Sequence, residues 1–258
     1  MSNAMFAKTS QSSALKTLFE TLKDLLEDVS FEFDHDGIRL VATDNTRVAM
    51  IHMRLEASKF DEYECPQPLT VGINIPCMQK LIKSIGNSDT IALHMDAVDS
   101  SNLSIQVENH ERRTSTTFKI GLMDLAPSTI EIPPVSFDSC VVLPSTDMQK
   151  IVRDMACISD RVEVTNSANR LSLSCKGDFC SQETVLEEST KLQTTMNESG
   201  AIIQGVFNLK YLVLFCKCSS LCNLLKINLK NDYPIVFNYS VASLGDLKLC
   251  LSPMCDSE

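Results

Sequence analysis

Asn74-Ile75-Pro76-Cys77-Met78, followed by Leu81 and Ile82, and Asn208-Leu209-Lys210-Tyr211-Leu212, followed by Phe215 and Cys216, read as one helical opening written twice, 134 positions apart. Lys16 and Lys150 stand at the same offset on two further helical patterns, so the register predicts one structural unit that occurs twice. Cations at equivalent places on helices whose other face is apolar predict a surface turned toward something anionic.

The chain around these repeats has 258 residues, enough for two ordinary domains. Met1 to Ala4 precede a second methionine, Met5, and read as an expression-tag remnant outside the fold. No apolar run approaches the ~20 residues that span a bilayer, and no charged-then-apolar leader opens the chain, so a soluble, intracellular protein with no membrane partner is expected. Eleven cysteines are an odd number, and Cys77, Cys216 and Cys250 take the places of aliphatic residues in periodic segments. They read as free thiols in a reducing compartment. The formal charge of −10 rules out a generally adhesive polycation, so any nucleic-acid contact must be local.

Leu15, Leu18, Phe19, Leu22, Leu25, Leu26 and Val29 recur in steps of three and four and predict a helix, with Ser12 or Ser13 as its cap. Phe31 and Phe33, a turn at Asp36-Gly37, and Ile38, Leu40 and Ala42 predict a hairpin. A strand is expected over 48–55, a polar loop over 61–67, the second helix from Asn74 to about Gly86, and strands over 90–95, 103–108 and 114–121. The second half repeats the order. Ser145 is expected to cap a helix bearing Met148, Ile151, Val152, Met155 and Ile158, and a hairpin turns through 166–169. A fourth helix runs from Asn208 to about Lys217, before strands at 224–229, 235–239 and 247–251. The fold class is therefore α+β: two similar halves, each with two helices and antiparallel strands, at 5–121 and 137–258 with a connector at 122–136. In the connector, Pro127, Pro133 and Pro134 prevent helix, while Ile130 and Ile132 need an apolar surface to lie on. Two readings stand for these isoleucines: anchors to the chain's own core, or part of a docking surface.

Each helix brings two cations: Lys16 and Lys23, Lys80 and Lys83, Lys150 and Arg153, Lys210 and Lys217. Solvated helix faces are commonly lysine-rich, and Glu20, Asp24, Glu27, Asp147 and Asp154 dilute the pattern. The recurrence on four helices of an acidic chain points to phosphate contact without base reading, weak and steeply salt-dependent. Catalytic patterns are absent. His35, His52, His94 and His110 are scattered, no metal-binding spacing accompanies Cys216, Cys218 and Cys222, and no phosphate-binding glycine loop occurs. No enzyme activity, metal or cofactor is expected.

Leu22-Lys23-Asp24-Leu25, Gly37 to Asp44, Leu122-Met123-Asp124-Leu125 leading to Ile132-Pro133, Ser139-Cys140-Val141-Val142 with Pro144-Ser145, Arg153-Asp154, Tyr211-Leu212, and Leu247-Lys248 with Leu251 and Pro253 together resemble the eukaryotic-type DNA sliding clamps, the proliferating cell nuclear antigen family. The resemblance runs from Met5 to Pro253. It implies that three subunits close head to tail into a ring, the strand near 114–120 of one pairing with that near 181–188 of the next. The four helices would line the hole, so the eight cations would face double-stranded DNA. It further implies a groove for short docking peptides of DNA polymerase, clamp loader, ligase and nuclease. Carried onto matching positions, that groove comprises Thr43, Arg47, Val48, Met50, Ile130, Ile132, Pro133, Pro234, Cys250, Leu251, Ser252 and Pro253. Thr43 departs from a position commonly methionine, and Cys250 from one commonly aromatic. Ala168 stands where family members offer a lysine for ubiquitin-type modification. The resemblance implies a homotrimeric processivity factor in the nucleus, or at a viral replication site; a subunit of a heterotrimeric checkpoint-type clamp and a scaffold that never encircles DNA are the alternatives.

Overall fold

Segments that alternate every two residues form antiparallel strands, and segments with steps of three and four form helices, as the two side-chain periodicities require. The result, in a computed structural model that describes residues 3–97, 100–126, 130, 134–167, 170–189, 192–196 and 201–254, is an α+β chain. It divides into two compact units. Unit one is Met1–Asn45, Ile51–Glu131 and Ser240–Leu247; unit two is Thr46–Met50, Ile132–Tyr239 and Lys248–Glu258.

In the first half, the strands and helices are β1 (Asn3–Thr9), α1 (Ser12–Leu22), β2 (Asp28–Asp34), β3 (Gly37–Thr43), β4 (Ala49–Glu56), β5 (Glu62–Glu64), β6 (Leu69–Asn74), α2 (Ile75–Lys83), β7 (Thr90–Asp96), β8 (Asn102–Asn109) and β9 (Thr114–Gly121). A five-stranded sheet of unit one has the order β5-β1-β7-β8-β9, and β2 pairs with both β3 and β6. Leu15, Leu18 and Phe19 of α1 and Met78 of α2 meet Phe31, Phe33 and Ile73 in one buried cluster. Phe19 and Phe31 lie 6.2 Å apart, tilted by 33°. Each such side chain contributes about 1.5–3 kcal/mol by leaving water.

The second half continues with β10 (Ser139–Pro144), α3 (Ser145–Ala156), β11 (Arg161–Ser167), β12 (Arg170–Lys176), β13 (Ser181–Glu187), β14 (Gln193–Met196), β15 (Ile202–Asn208), α4 (Leu209–Phe215), β16 (Leu224–Leu229), β17 (Ile235–Val241) and β18 (Gly245–Leu251). A four-stranded sheet of unit two has the order β13-β12-β11-β15. β10 lies between β14 and β16, which also pairs with β17. Met148, Val152, Met155, Leu209, Leu212 and Phe215 are the buried stripes of its two helices, and Phe215 meets Phe237 edge-on at 5.9 Å.

Several expectations are corrected. α1 stops at Leu22, although the apolar stripe runs on to Val29. Asp24 and Leu25 donate to carbonyls three residues back, which tightens the turn, and the ladder that opens with Asp28 opposite Asn74 takes Val29 into β2. Leu25 and Leu26 are buried as loop residues instead. Strand pairing outweighs a periodic pattern here. The polar loop at 61–67 contains a short strand, β5, because Glu62 to Glu64 complete the ladder beside β1. Asn3 and Ala4 belong to β1, with Asn3 opposite Asp96, so the supposed tag remnant is partly within the sheet. Asn166 and Ser167 continue β11 rather than opening a turn. Ala168, Pro127, Ile132 and Pro133 lie outside the described residues.

Candidate nucleic-acid interface

The second helix of each unit begins with an asparagine cap, engaging the third amide on in one and the second in the other. Asn74 precedes α2 and its Oδ1 accepts from the Cys77 amide at 2.9 Å; Asn208 precedes α4 and its Oδ1 accepts from the Lys210 amide at 2.9 Å. Such caps contribute about 1 kcal/mol each by satisfying amides that the helix leaves open. The 134-residue register therefore holds for α2 and α4, with Ile75, Met78 and Ile82 buried as Leu209, Leu212 and Cys216 are.

The first helices obey a different register. Ser12 and Ser145 are first helical residues, not caps, and Gln11 and Pro144 before them offer no capping side chain. Both serines are fully buried and staple their helix to the loop beyond the second one. Ser12 Oγ donates toward the Gly86 and Asn87 carbonyls, each at 3.0 Å, and Ser145 Oγ donates to the Cys222 carbonyl at 2.8 Å. Leu15, Phe19 and Leu22 match Met148, Val152 and Met155 at an offset of 133. The counterpart of Lys16 is consequently Gln149, not Lys150. The two do the same work: Lys16 Nζ donates to the Ile85 carbonyl at 2.6 Å and to Asn87 Oδ1 at 3.2 Å, and Gln149 Nε2 donates to the Cys216 carbonyl at 3.0 Å.

Lys16 is half-buried in this contact, and Lys23 is half-buried at the C-cap of α1. Lys80, Lys83, Lys150, Arg153, Lys210 and Lys217 are exposed. Lys217 sits on the 3₁₀ turn Cys216–Ser220, because α4 ends at Phe215. The local charge then separates the helices. α1 sets Lys16 against Glu20, and α3 sets Lys150 and Arg153 against Asp147 and Asp154, so both are formally neutral. α2 has Lys80 and Lys83 and no acid; α4 with its turn has Lys210 and Lys217 and no acid. Lys83 and Lys217 occupy equivalent places. The net positive field of each unit's helices comes from its second helix.

The groove residues fall into both units. In unit one, Thr43 and Ile130 line a cleft of about 280 Å³ with Val41 and Leu125, beside Glu27 and Asp28. In unit two, Arg47 is exposed with a left-handed φ of 59°, and the Val48 carbonyl accepts from the Ser252 amide at 3.0 Å. One residue before Arg47, the Thr46 hydroxyl lies 2.8 Å from that of Tyr211 on α4. Met50 and Pro234 are half-buried. Leu251 is 0% exposed and has no surface for a peptide to touch. Burial pushes the Cys250 thiol up to about 11, against the lowering influence of Lys248. Pro253 lines a cleft of about 690 Å³ with Ile202, Tyr233, Met254 and Asp232. Ile202, 58% exposed, was not singled out from sequence; its only signal is an apolar residue at a strand position that alternation turns outward.

Among the described residues, no group of three or more His, Cys, Asp and Glu side chains is placed to hold a metal. Cys216 and Cys218 are buried; desolvation pushes the Cys216 thiol up to about 12, so it is protonated rather than a thiolate ligand.

Residues 4–128 match the model of the proliferating cell nuclear antigen N-terminal domain, and residues 131–254 match that of its C-terminal domain. The chain belongs to the proliferating cell nuclear antigen family. Its relatives include a protein named as a probable DNA polymerase sliding clamp of Paramecium bursaria Chlorella virus 1, 33% identical over 257 residues, covering 98% of each chain. Another is the proliferating cell nuclear antigen of Chaetomium thermophilum, 32% identical over 253 residues and covering 96% of each chain. The two family models meet at 128–131, beside Ile130.

Proposed function

We propose that this chain is a DNA sliding clamp and polymerase processivity factor, acting as a homotrimeric ring around duplex DNA and having no chemistry of its own. The observation that carries the reading is the match of both halves, along almost the whole chain, to a family whose relatives include a named DNA polymerase sliding clamp. The exposed cations of α2 and α4 fit it, because lysine offers phosphate a point charge without selecting a base. Enclosure supplies retention, and weak contacts leave the ring free to move.

Two sheet margins fit ring closure. β9 ends the five-stranded sheet of unit one, and β13 ends the four-stranded sheet of unit two. Open margins present unpaired amides and carbonyls that seek another strand, and two on one chain give the head-to-tail contact a closed ring requires. That both reside on one chain favours self-association over an obligate heteromer. The segment 122–136 serves as connector between domains 5–121 and 137–258. Its partners are short peptides of polymerase, clamp loader, ligase and nuclease, for which the cleft at Thr43 and Ile130 in unit one is a candidate contact, in a nucleus or at a viral replication site.

The test combines light scattering with polymerase assays. A species of three chain masses that persists on dilution, together with loss of polymerase stimulation when Lys80, Lys83, Lys210 and Lys217 are neutralised, is the expected result. A monomer at micromolar concentration overturns the ring, and undiminished stimulation overturns the role given to these lysines.

A further inference from the structure

The sheet of unit two has two margins, and the chain treats them differently. Along β15, backbone groups of Ile202, Gln204 and Val206 turn away from β11, and each of the three has a taker. Asn231 Nδ2 donates to the Ile202 carbonyl at 3.0 Å, and the Gln204 amide donates to Asn231 Oδ1 at 2.9 Å. Two residues further, the Met254 amide donates to the Val206 carbonyl at 2.8 Å. A carboxamide has the same donor and acceptor as a peptide group. Asn231 therefore stands where the peptide of a neighbouring strand would, and the tail at Met254 takes the next place. Along β13, the described residues pair with β12 on one side and carry no such cover on the other.

We propose that Asn231, supported by Met254, is a strand-edge plug that closes β15 to a second copy of this chain and leaves β13 as the margin on which assembly proceeds. The inference rests on the ring reading. Its necessity follows from Ile202, whose side chain is 58% exposed beside those same backbone groups: an apolar, unpaired edge recruits strands without regard to symmetry. A chain with β13 and β15 both open has one acceptor too many for a closed ring and grows irregularly.

Light scattering of Asn231→Ala across a wide concentration range tests this. The expected result is a mean mass that climbs with concentration to about twofold or more above that of the unaltered protein. Adding Gln204→Pro, which removes the outward amide from an edge strand that tolerates proline, returns the mass to the unaltered value. Amide exchange gives a readout that does not depend on assembly: protection of the Gln204 amide falls in Asn231→Ala while the β11–β15 ladder keeps its own. If Asn231→Ala folds poorly, Asn231→Ser keeps a small polar side chain but lacks the carboxamide that engages both Ile202 and Gln204, and a rise of mass is still expected. A mass identical to the unaltered protein at every concentration, with Gln204 still protected, overturns the plug. The ring reading fails separately, on the mass of the unaltered protein alone.

Discussion

Lys16 Nζ donates to the carbonyl oxygen of Ile85 at 2.6 Å, tying α1 to the chain just beyond α2. A cation at the carbonyl end of a helix is favoured by the local dipole, and a charged hydrogen bond of this kind contributes about 1.5 kcal/mol where the group is only half-buried. Lys16→Met is therefore expected to lower the unfolding free energy by about that amount in urea titration, with DNA affinity nearly unchanged. A large loss of DNA affinity at unaltered stability would return Lys16 to the phosphate-facing set.

Lys80, Lys83, Lys210 and Lys217 stand on helices without acids, whereas Lys150 and Arg153 share theirs with Asp147 and Asp154. Alanine at the first four should reduce the steepness of log affinity against log salt by ~0.9 for each phosphate that is no longer neutralised. Alanine at Lys150 and Arg153 should change it less. Equal slopes for the two variants would contradict the assignment of the field to the second helices.

The thiols of Cys216 and Cys250 are pushed up from 9.0 to about 12 and about 11 by burial. Unfolding lets them ionise near 9, so their contribution is intact below pH 9 and is lost as pH rises toward 11–12, at ~1.4 kcal/mol per pH unit for each thiol. Melting temperature should thus fall above pH 9, and the fall should be shallower in Cys216→Ala. At neutral pH a maleimide should label exposed Cys77, Cys157 and Cys180 first and leave the buried pair unlabelled until denaturant is added.

Gly37 has a φ of 141°, and a Cβ there would come within 1.9 Å of the Leu55 carbonyl oxygen. Gly37→Ala adds a backbone clash to a conformation that side chains avoid, and should cost about 2–4 kcal/mol of stability by chemical denaturation. A loss below about 0.5 kcal/mol would mean that the Asp34 to Gly37 turn relaxes freely.

The duplicated fold was legible because Asn74 and Asn208 announce helices of equal register, and because alternation such as Phe31, Phe33, Ile38 and Leu40 survives folding unchanged. What was not legible depended on long-range partners. The end of α1 is set by a ladder with β6 that no local pattern encodes, and β5 is three polar residues whose only credential is the neighbour β1 supplies. The contact of Lys16 with the end of the second helix was hidden for the same reason. On sequence spacing Lys16 matches Lys150, and only its distance to Ile85 reveals a structural lysine whose equivalent is Gln149. Leu251 illustrates the converse: a position carried over as part of a groove proves to be core.

The concentration of lysines on α2, α4 and the 3₁₀ turn after it, elements that contain no acid of their own, in a chain of formal charge −10, has a consequence for the free protein. The rest of the chain sums to an excess of acid, which opposes the general adhesion of a free duplex. If the proposed ring forms, its retention on DNA is then set by opening and closure rather than by general adhesion, and copies that have not been opened do not silt up naked DNA.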